Sequence, residues 1–205
     1  MRKAFDKLTN GMYLVSTKAD KEAGCIVNTF QQVASKPELV VVAINKDNYT
    51  CKQIERSKKF NVTVLKENAD TSIINTFGFS SSEFNDKYKA YNKKYDLLGL
   101  PYIENDMTAL FSVRVKEKID ANTHIVFMGE VSESVLLSEE KPMTYDYYKT
   151  VKKGITPPKA STYQQPKTVS GYKCDVCGYI YRGEELPIDY ICPICGQTHF
   201  TKICE

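Results

Sequence analysis

The sequence predicts a mainly β chain: a strand-rich barrel body with short helices, followed by a small metal-binding domain. Three observations carry that reading. Between residues 12 and 137 the apolar residues come in short alternating or β-branched runs bounded by turn residues. The regular strand–helix alternation of a doubly wound sheet is missing, and no Gly-x-Gly-x-x-Gly follows a strand, which argues against a Rossmann-type site. Two Cys-x-x-Cys pairs, Cys174/Cys177 and Cys192/Cys195, stand near the end.

Residues 1–10 predict a short helix, with Phe5 and Leu8 three apart. Met12 to Thr17 and Gly24 to Phe30 read as two strands of a hairpin around the charged turn 18–22. Lys36-Pro37 breaks the chain. Leu39 to Ile44 is a continuous β-branched run, expected to be a strand buried on both faces. Asn45 to Tyr49 is a polar turn, and Thr50 caps a helix to about Ser57. Phe60 to Leu65 reads as a strand, and Asp70 or Thr71 opens a helix through Phe77. Residues 78–106 read as one long irregular loop with a turn at Gly99-Leu-Pro101, of the length that usually covers a site. Glu83, Asp86 and Lys87 within it read as solvated charges. Two long strands follow, Thr108 to Glu117 and His124 to Leu137. Met143 to Lys152 is a helix capped by Pro142, with Tyr145 to Tyr148 on a face that packs on the barrel. Gly154 to Ser170, rich in proline, serine, threonine and glutamine, reads as a linker. The division is therefore 1–153, a linker over 154–171, and a second domain over 172–205.

The chain of 205 residues is long enough for one sizeable core and a small appendage. A net charge of +3 is too weak to point to nucleic acid or a membrane surface. That charge is uneven: residues 172–205 hold three basic and five acidic side chains, so the tail is net −2 and the rest net +5. An acidic metal domain on a basic body suits docking between redox partners. The N-terminal residues show no apolar signal core, and no apolar run reaches membrane-spanning length, so the expected location is the cytoplasm. Thiols stay reduced there, and paired cysteines read as metal ligands. Cys25, Cys51 and Cys204 are left over and read as small hydrophobes.

Each cysteine pair places two sulfurs on one tight turn followed by glycine, Gly178 or Gly196. Four thiolates at this spacing converge on one tetrahedral metal, and spacing alone admits zinc or iron. The surrounding residues, Tyr172-x-Cys174-x-x-Cys177-Gly178-Tyr179-x-Tyr181 and Cys192-Pro193-x-Cys195-Gly196 with Phe200, resemble rubredoxin. The short insert from Gly178 to Ile191 is similar to the rubredoxin-like tail of rubrerythrins. The resemblance implies one iron cycling between ferrous and ferric. His199 is not needed as a ligand, because four thiolates complete the shell.

In the body, Asn28-Thr29 closes the second strand, and Asn45-Lys46-Asp47-Asn48-Tyr49-Thr50 leads into a helix N-terminus. Such a turn either holds a phosphate or is a capped, solvated turn. The pattern Gly24-x-x-x-Asn28-Thr29-Phe30-x-x-Val33 with Pro37-x-Leu39, and Thr123-His124-Ile125-x-x-Gly129-Glu130-Val131, resembles the flavin reductase family. That family is a dimeric, FMN- or FAD-binding split β-barrel. Phe77-Gly78-Phe79-Ser80-Ser81, Asp86-Lys87, Pro101-Tyr102-Ile103 and Pro142-Met143-Thr144-Tyr145 are similar to the branch fused to rubredoxin, the high-molecular-weight rubredoxin type. The chain departs from the pattern at Gln32 and Ala34, where serines are usual, and at Ser81-Ser82-Glu83 in place of Gly-Arg.

The resemblance implies that Asn28 and Thr29 touch the isoalloxazine, and that Asn45, Lys46, Asn48 and Thr50 hold the ribityl phosphate. It places His124 beside the flavin as the residue nearest the reaction. It further implies a donor, NAD(P)H, and a homodimer passing electrons from flavin to iron and on to an acceptor such as a flavodiiron protein. Two other readings stay open at this stage: a free-flavin or ferric reductase, and a zinc-ribbon-bearing binding protein without redox activity.

Overall fold

The chain starts with α1 (Arg2–Phe5) and then forms the expected antiparallel hairpin of β1 (Tyr13–Lys18) and β2 (Glu22–Val27). The computed structural model describes residues 2–163 and 171–203; residues 164–170 of the expected linker and Cys204 lie outside the described residues. A second hairpin, β3 (Gln31–Ser35) with β4 (Glu38–Asn45), turns at Lys36-Pro37, whose peptide bond is cis. The sequence reading missed β3, because Gln31-Gln32-Val33-Ala34-Ser35 is an exposed edge with no alternation of burial to read.

Helix α2 (Tyr49–Ser57) is capped by Asn48, not Thr50: the Asn48 side chain accepts the Thr50 N–H, and Thr50 lies buried inside the first turn. Strand β5 (Lys59–Leu65) leads to α3 (Thr71–Phe79), capped by Asp70. The expected long loop is more ordered than its composition implies, for it contains the hairpin of β6 (Lys93–Tyr95) and β7 (Pro101–Ile103). Asp96 pins this region. Its carboxylate accepts the N–H groups of Leu98 (2.9 Å) and Leu100 (2.8 Å), the Ser112 hydroxyl (2.7 Å) and the Asn61 amide (3.1 Å). The long strands β8 (Met107–Ala121) and β9 (His124–Leu136) follow, then α4 (Tyr145–Thr150), capped by Thr144 instead of Pro142. The last domain consists of β10 (Gly171–Cys174), β11 (Ile180–Tyr181) and β12 (Phe200–Ile203).

Seven strands form one antiparallel sheet in the order β2-β1-β5-β8-β9-β4-β3. Its edges, β2 and β3, are not joined by a ladder among the described residues, so the barrel is split, as expected. One core lies inside, built from Val15, Val42, Ile44, Phe60, Val62 and Phe127 and plugged by Cys51 and Ile54 of α2. Each such side chain contributes about 1.5–3 kcal/mol by leaving water. Strand β4 was expected to be buried on both faces, but only Val40, Val42 and Ile44 are buried; Leu39, Val41 and Ala43 on the other face stay half-exposed. An antiparallel strand with one face in the barrel has no need of two dry faces.

The second core lies outside the barrel. Leu14, Leu65 and Met107 meet Ile73, Ile74 and Phe77 of α3 and Tyr148 of α4, and the same cluster continues into Cys174, Cys177 and Cys192. Body and metal domain therefore share a core.

Where β9 crosses β8, bulges between Ser112 and Val113 and between Val115 and Glu117 bring the two backbones close. A Cβ on Gly129 would stand 2.5 Å from Val113 Cγ1 and 2.7 Å from Arg114 O. Gly129→Ala is expected to cost about 1–3 kcal/mol by overpacking against backbone. Urea unfolding measures it, and an unchanged midpoint would refute the close approach.

Candidate functional site

Two sites lie on either side of α3. The first is a small cavity of about 40 Å³ between β2 and the turn that follows it, β4, the start of β9 and α3. Asn28, Thr29, Asn45, Asn48 and His124 line it together, along with Cys25, Phe77 and Gly78. The β4–β9 register sets Asn45 opposite His124 and so brings these two residues to one mouth. Thr29 is held rigidly: its hydroxyl donates to Ala43 O at 2.9 Å and accepts the Ala43 N–H at 3.2 Å. Lys46 and Thr50 do not line the cavity. The Lys46 ammonium pairs with Asp120 at 2.7 Å on the outer rim. Thr50 sits behind the wall, with a fully buried hydroxyl that has no hydrogen-bond partner among the described residues. The Asn45 side chain accepts the Asp47 N–H at 2.9 Å, a turn-closing bond.

The fourth wall comes from residues that composition assigns to a linker. Pro157, Lys159, Ala160 and Ser161 lie across the cavity. Asn28 donates to Thr162 Oγ1 at 2.8 Å and accepts the Ser161 hydroxyl at 3.2 Å. Lys159 donates to Asp47 O at 3.1 Å. His124 has Nδ1 against the Thr123 hydroxyl at 2.9 Å and is also bonded to the Lys159 backbone. Partial burial holds its imidazole below the ordinary value, with the Lys159 contact opposing that shift. The ring is therefore neutral at neutral pH, available for stacking and hydrogen bonding.

A flavin fits this site by its polar fringe: two carboxamides at the mouth, a pinned Thr29, and the N-terminus of the nine-residue α2 behind an orphaned hydroxyl. It does not fit by volume while Ser161 and Thr162 occupy Asn28, since small-molecule pockets run to about 300–1,000 Å³. The polar end of segment 157–162 has to yield its bonds on Asn28 for the ring system to enter.

The sequence reading misplaced Lys87. It is not a solvated loop charge but a buried one, 4% exposed, donating to Gly24 O at 2.9 Å and Phe77 O at 3.2 Å, with no carboxylate paired to it among the described residues. Gly24 immediately precedes Cys25, and both Cys25 and Phe77 line the cavity. No periodicity marks such a residue in sequence; its neighbour Tyr88, fully buried against Phe77 at 5.0 Å, was the available signal. Burial pushes the Cys25 thiol up to about 11 and Cys51 to about 12, so both behave as the expected small hydrophobes.

The second site is the four-cysteine cluster. The sulfurs of Cys174, Cys177, Cys192 and Cys195 all lie within 4.8 Å of one another, with Cys174–Cys195 at 3.6 Å and Cys177–Cys192 at 3.5 Å. This donor set suits a tetrahedral metal that takes thiolates. The two knuckles are alike. Gly178 N–H donates to Cys174 O and Gly196 N–H to Cys192 O, each at 2.9 Å, and both glycines have positive φ (75° and 71°). Around them Tyr190 packs tilted against Tyr181 at 4.6 Å and edge-to-face against Phe200 at 5.5 Å, and the Tyr179 and Tyr190 hydroxyls meet at 3.3 Å. His199 is not among the four clustered ligands.

Comparison with known proteins gives both halves relatives. Residues 5–155 match the model of the flavin reductase like domain, and residues 172–200 that of the rubrerythrin, rubredoxin-like domain. The chain is 35% identical over 217 residues to a high molecular weight rubredoxin of Moorella thermoacetica, covering 95% of each. It is 32% identical to a ferric-chelate reductase (NAD(P)H) of Archaeoglobus fulgidus over 80% of this chain and 98% of that protein. Among solved structures, the flavin reductase PheA2 aligns with a TM-score of 0.60 at 27% identity, covering 70% of this chain and 89% of its own. Nitrilotriacetate monooxygenase component B from Mycobacterium thermoresistibile aligns with a TM-score of 0.62 at 25% identity, covering 70% and 79%.

Burial holds the Lys87 ammonium at about 8, below its ordinary value of 10.5. Between these values the unfolded chain binds more protons at this position than the folded one, so Lys87 makes stability rise with pH there. Below about 8 its full penalty applies. Lys87→Met is expected to flatten that rise, measured by urea unfolding at both ends of the window; equal pH slopes in the two proteins would contradict it.

Proposed function

The chain belongs to the flavin reductase like domain family and ends in a rubredoxin-like domain, and on that premise we propose that it is an NAD(P)H-dependent flavoprotein that passes electrons through a four-cysteine iron site to an acceptor protein. One observation carries this reading: the wall of the Asn28–His124 cavity and the four cysteines pack on the same helix, α3, within one continuous core.

A bound flavin, FMN in this reading, supplies the conversion between two-electron uptake from a nicotinamide and one-electron delivery. Iron held by Cys174, Cys177, Cys192 and Cys195 supplies a one-electron couple. The chain's own residues bind and orient. Asn28 and Thr29 present a carboxamide and a fixed backbone to the ring edge. Asn45 and Asn48, with the α2 N-terminus and Thr50 behind them, take the phosphate, and Lys46 turns from Asp120 toward it. Neutral His124 flanks the face on which nicotinamide stacks. Lys87 places an uncompensated cation behind Phe77, which favours added negative charge in the pocket.

The acceptor in this reading is a flavodiiron protein, the working form is a homodimer, and the compartment is the cytoplasm. Among the described residues no helix is long and apolar enough to cross a membrane. A second reading, a ferric or free-flavin reductase that needs only the body, is favoured by the Archaeoglobus relative, 98% of which aligns to 80% of this chain.

Cys174→Ser separates the two. In the main reading it abolishes metal binding, leaves NAD(P)H-dependent flavin bleaching within about twofold, and lowers delivery to a one-electron protein acceptor by at least about tenfold. Undiminished delivery from the metal-free variant would sink the main reading and leave the second.

A further inference from the structure

The first half of the expected linker is laid down residue by residue on the body. Tyr148 fills the space a Cβ on Gly154 would need, and its hydroxyl donates to Ile155 O at 3.0 Å. The Tyr145 and Thr156 hydroxyls bond each other. Lys159 then bonds Asp47 O, an anchor independent of the Ser161 and Thr162 bonds on Asn28 that a ring system would displace. Between these two anchored stretches sit consecutive prolines.

The prolines meet different partners. Pro157 Cγ lies 3.6 Å from the point where a Cβ on Gly78 would stand, at the cavity wall on α3. Pro158 meets the metal domain: its ring fills the space that a Cβ would need on Gly178, the glycine of the first cysteine knuckle. Gly178 therefore answers two demands at once, a positive φ of 75° and the closeness of the Pro158 ring. The second knuckle closes on the same helix, where Ile194, Cys195 and Gln197 share a groove with Asn75, Thr76 and Ser80.

We propose that Pro157-Pro158 is a rigid shim that fixes the four-cysteine domain against the wall of the cofactor pocket, with Pro158 as the positioning residue. This rests on the electron-transfer reading above and adds what sets the spacing between its two sites. Proline suits the task physically. Its ring fixes φ, and two in succession favour a stiff extended segment where a Gly/Ser stretch would behave as a flexible coil. Little conformational entropy is left to lose on docking. Electron tunnelling falls steeply with distance, so a shift of about 1 Å at a remote contact is costly, as it is for other positioning contacts.

Pro158→Ala in the full chain tests this. Pro158 is neither a metal ligand nor a residue lining the cavity, so flavin and metal contents are expected to match the wild type. Two readouts are taken. Tryptic cleavage after Lys159 reports docking without any cofactor chemistry, and is expected to speed up by about fivefold or more as the segment opens locally. Anaerobic stopped-flow with NAD(P)H is expected to show flavin bleaching within about twofold of wild type and bleaching of the metal bands slowed by about tenfold or more. Unchanged cleavage overturns the shim, and so does faster cleavage with unchanged metal reduction, since Pro158 would then position nothing that matters. If wild-type metal is not reduced by NAD(P)H at all, the functional reading falls and the cleavage rate alone decides the shim.

Discussion

The packing of Phe77 on the β1–β2 hairpin is the contact on which both sites depend. Its ring lies against Gly24, where a Cβ would stand 3.0 Å from Phe77 Cδ1, and against Tyr88 and Tyr91 at 5.0 and 5.6 Å. One side of α3 thus closes the small polar cavity, and its outward neighbours, Ile73 and Ile74, enter the core that continues into the cysteines. A larger residue at position 24 would push α3 outward and move the cavity wall and the metal domain together. The buried Lys87 reinforces the arrangement by bonding the Phe77 and Gly24 carbonyls at once, a cation at the last turn of α3 beside its Ser80 cap. Its cost, a desolvated ammonium, is offset by the junction it holds.

Much of this was legible in the sequence, and for identifiable reasons. The cysteine knuckles were, because ligand spacing and the glycine after each pair are local properties; Gly178 and Gly196 adopt the left-handed turn that the pattern demands. Strand β9 was, because its alternation survives translation into a half-buried sheet, and β1 and β5 were, because short apolar runs bounded by turn residues mark a strand even where four successive residues are buried. Strand β3 was not, since an exposed edge writes no period. Nor was the burial of Lys87, which depends on carbonyls 10 and 63 residues away in sequence. The segment 154–163 was misread most instructively. Its proline, serine and threonine content is that of a flexible connector, yet each residue type has a use on the surface it covers, the prolines as spacers and the hydroxyls as partners for Asn28.

The body and the metal domain divide the chemistry unequally. The body supplies shape: a polar cleft between two sheet edges, a helix N-terminus, and a neutral imidazole at the mouth. The metal domain supplies four sulfurs and little else, a short chain of few strands that would be marginal without its ion. Sharing a core gives that small domain more buried surface than it could build alone. It also keeps three of its four ligands dry, while Cys195 borders the groove over α3. The chain is related to a ferric-chelate reductase over 80% of its length and to a high molecular weight rubredoxin over 95% of it.

The central claim is that both sites accept electrons from one donor in one molecule. Anaerobic titration with NAD(P)H, followed at the flavin and metal bands of the metal-analysed protein, tests it most directly. The account predicts three electrons per chain, two taken up by the flavin and one by a single iron whose bands bleach in the same titration. Uptake of only two electrons, with zinc in the four-cysteine cluster or with iron bands that stay oxidised, would contradict it.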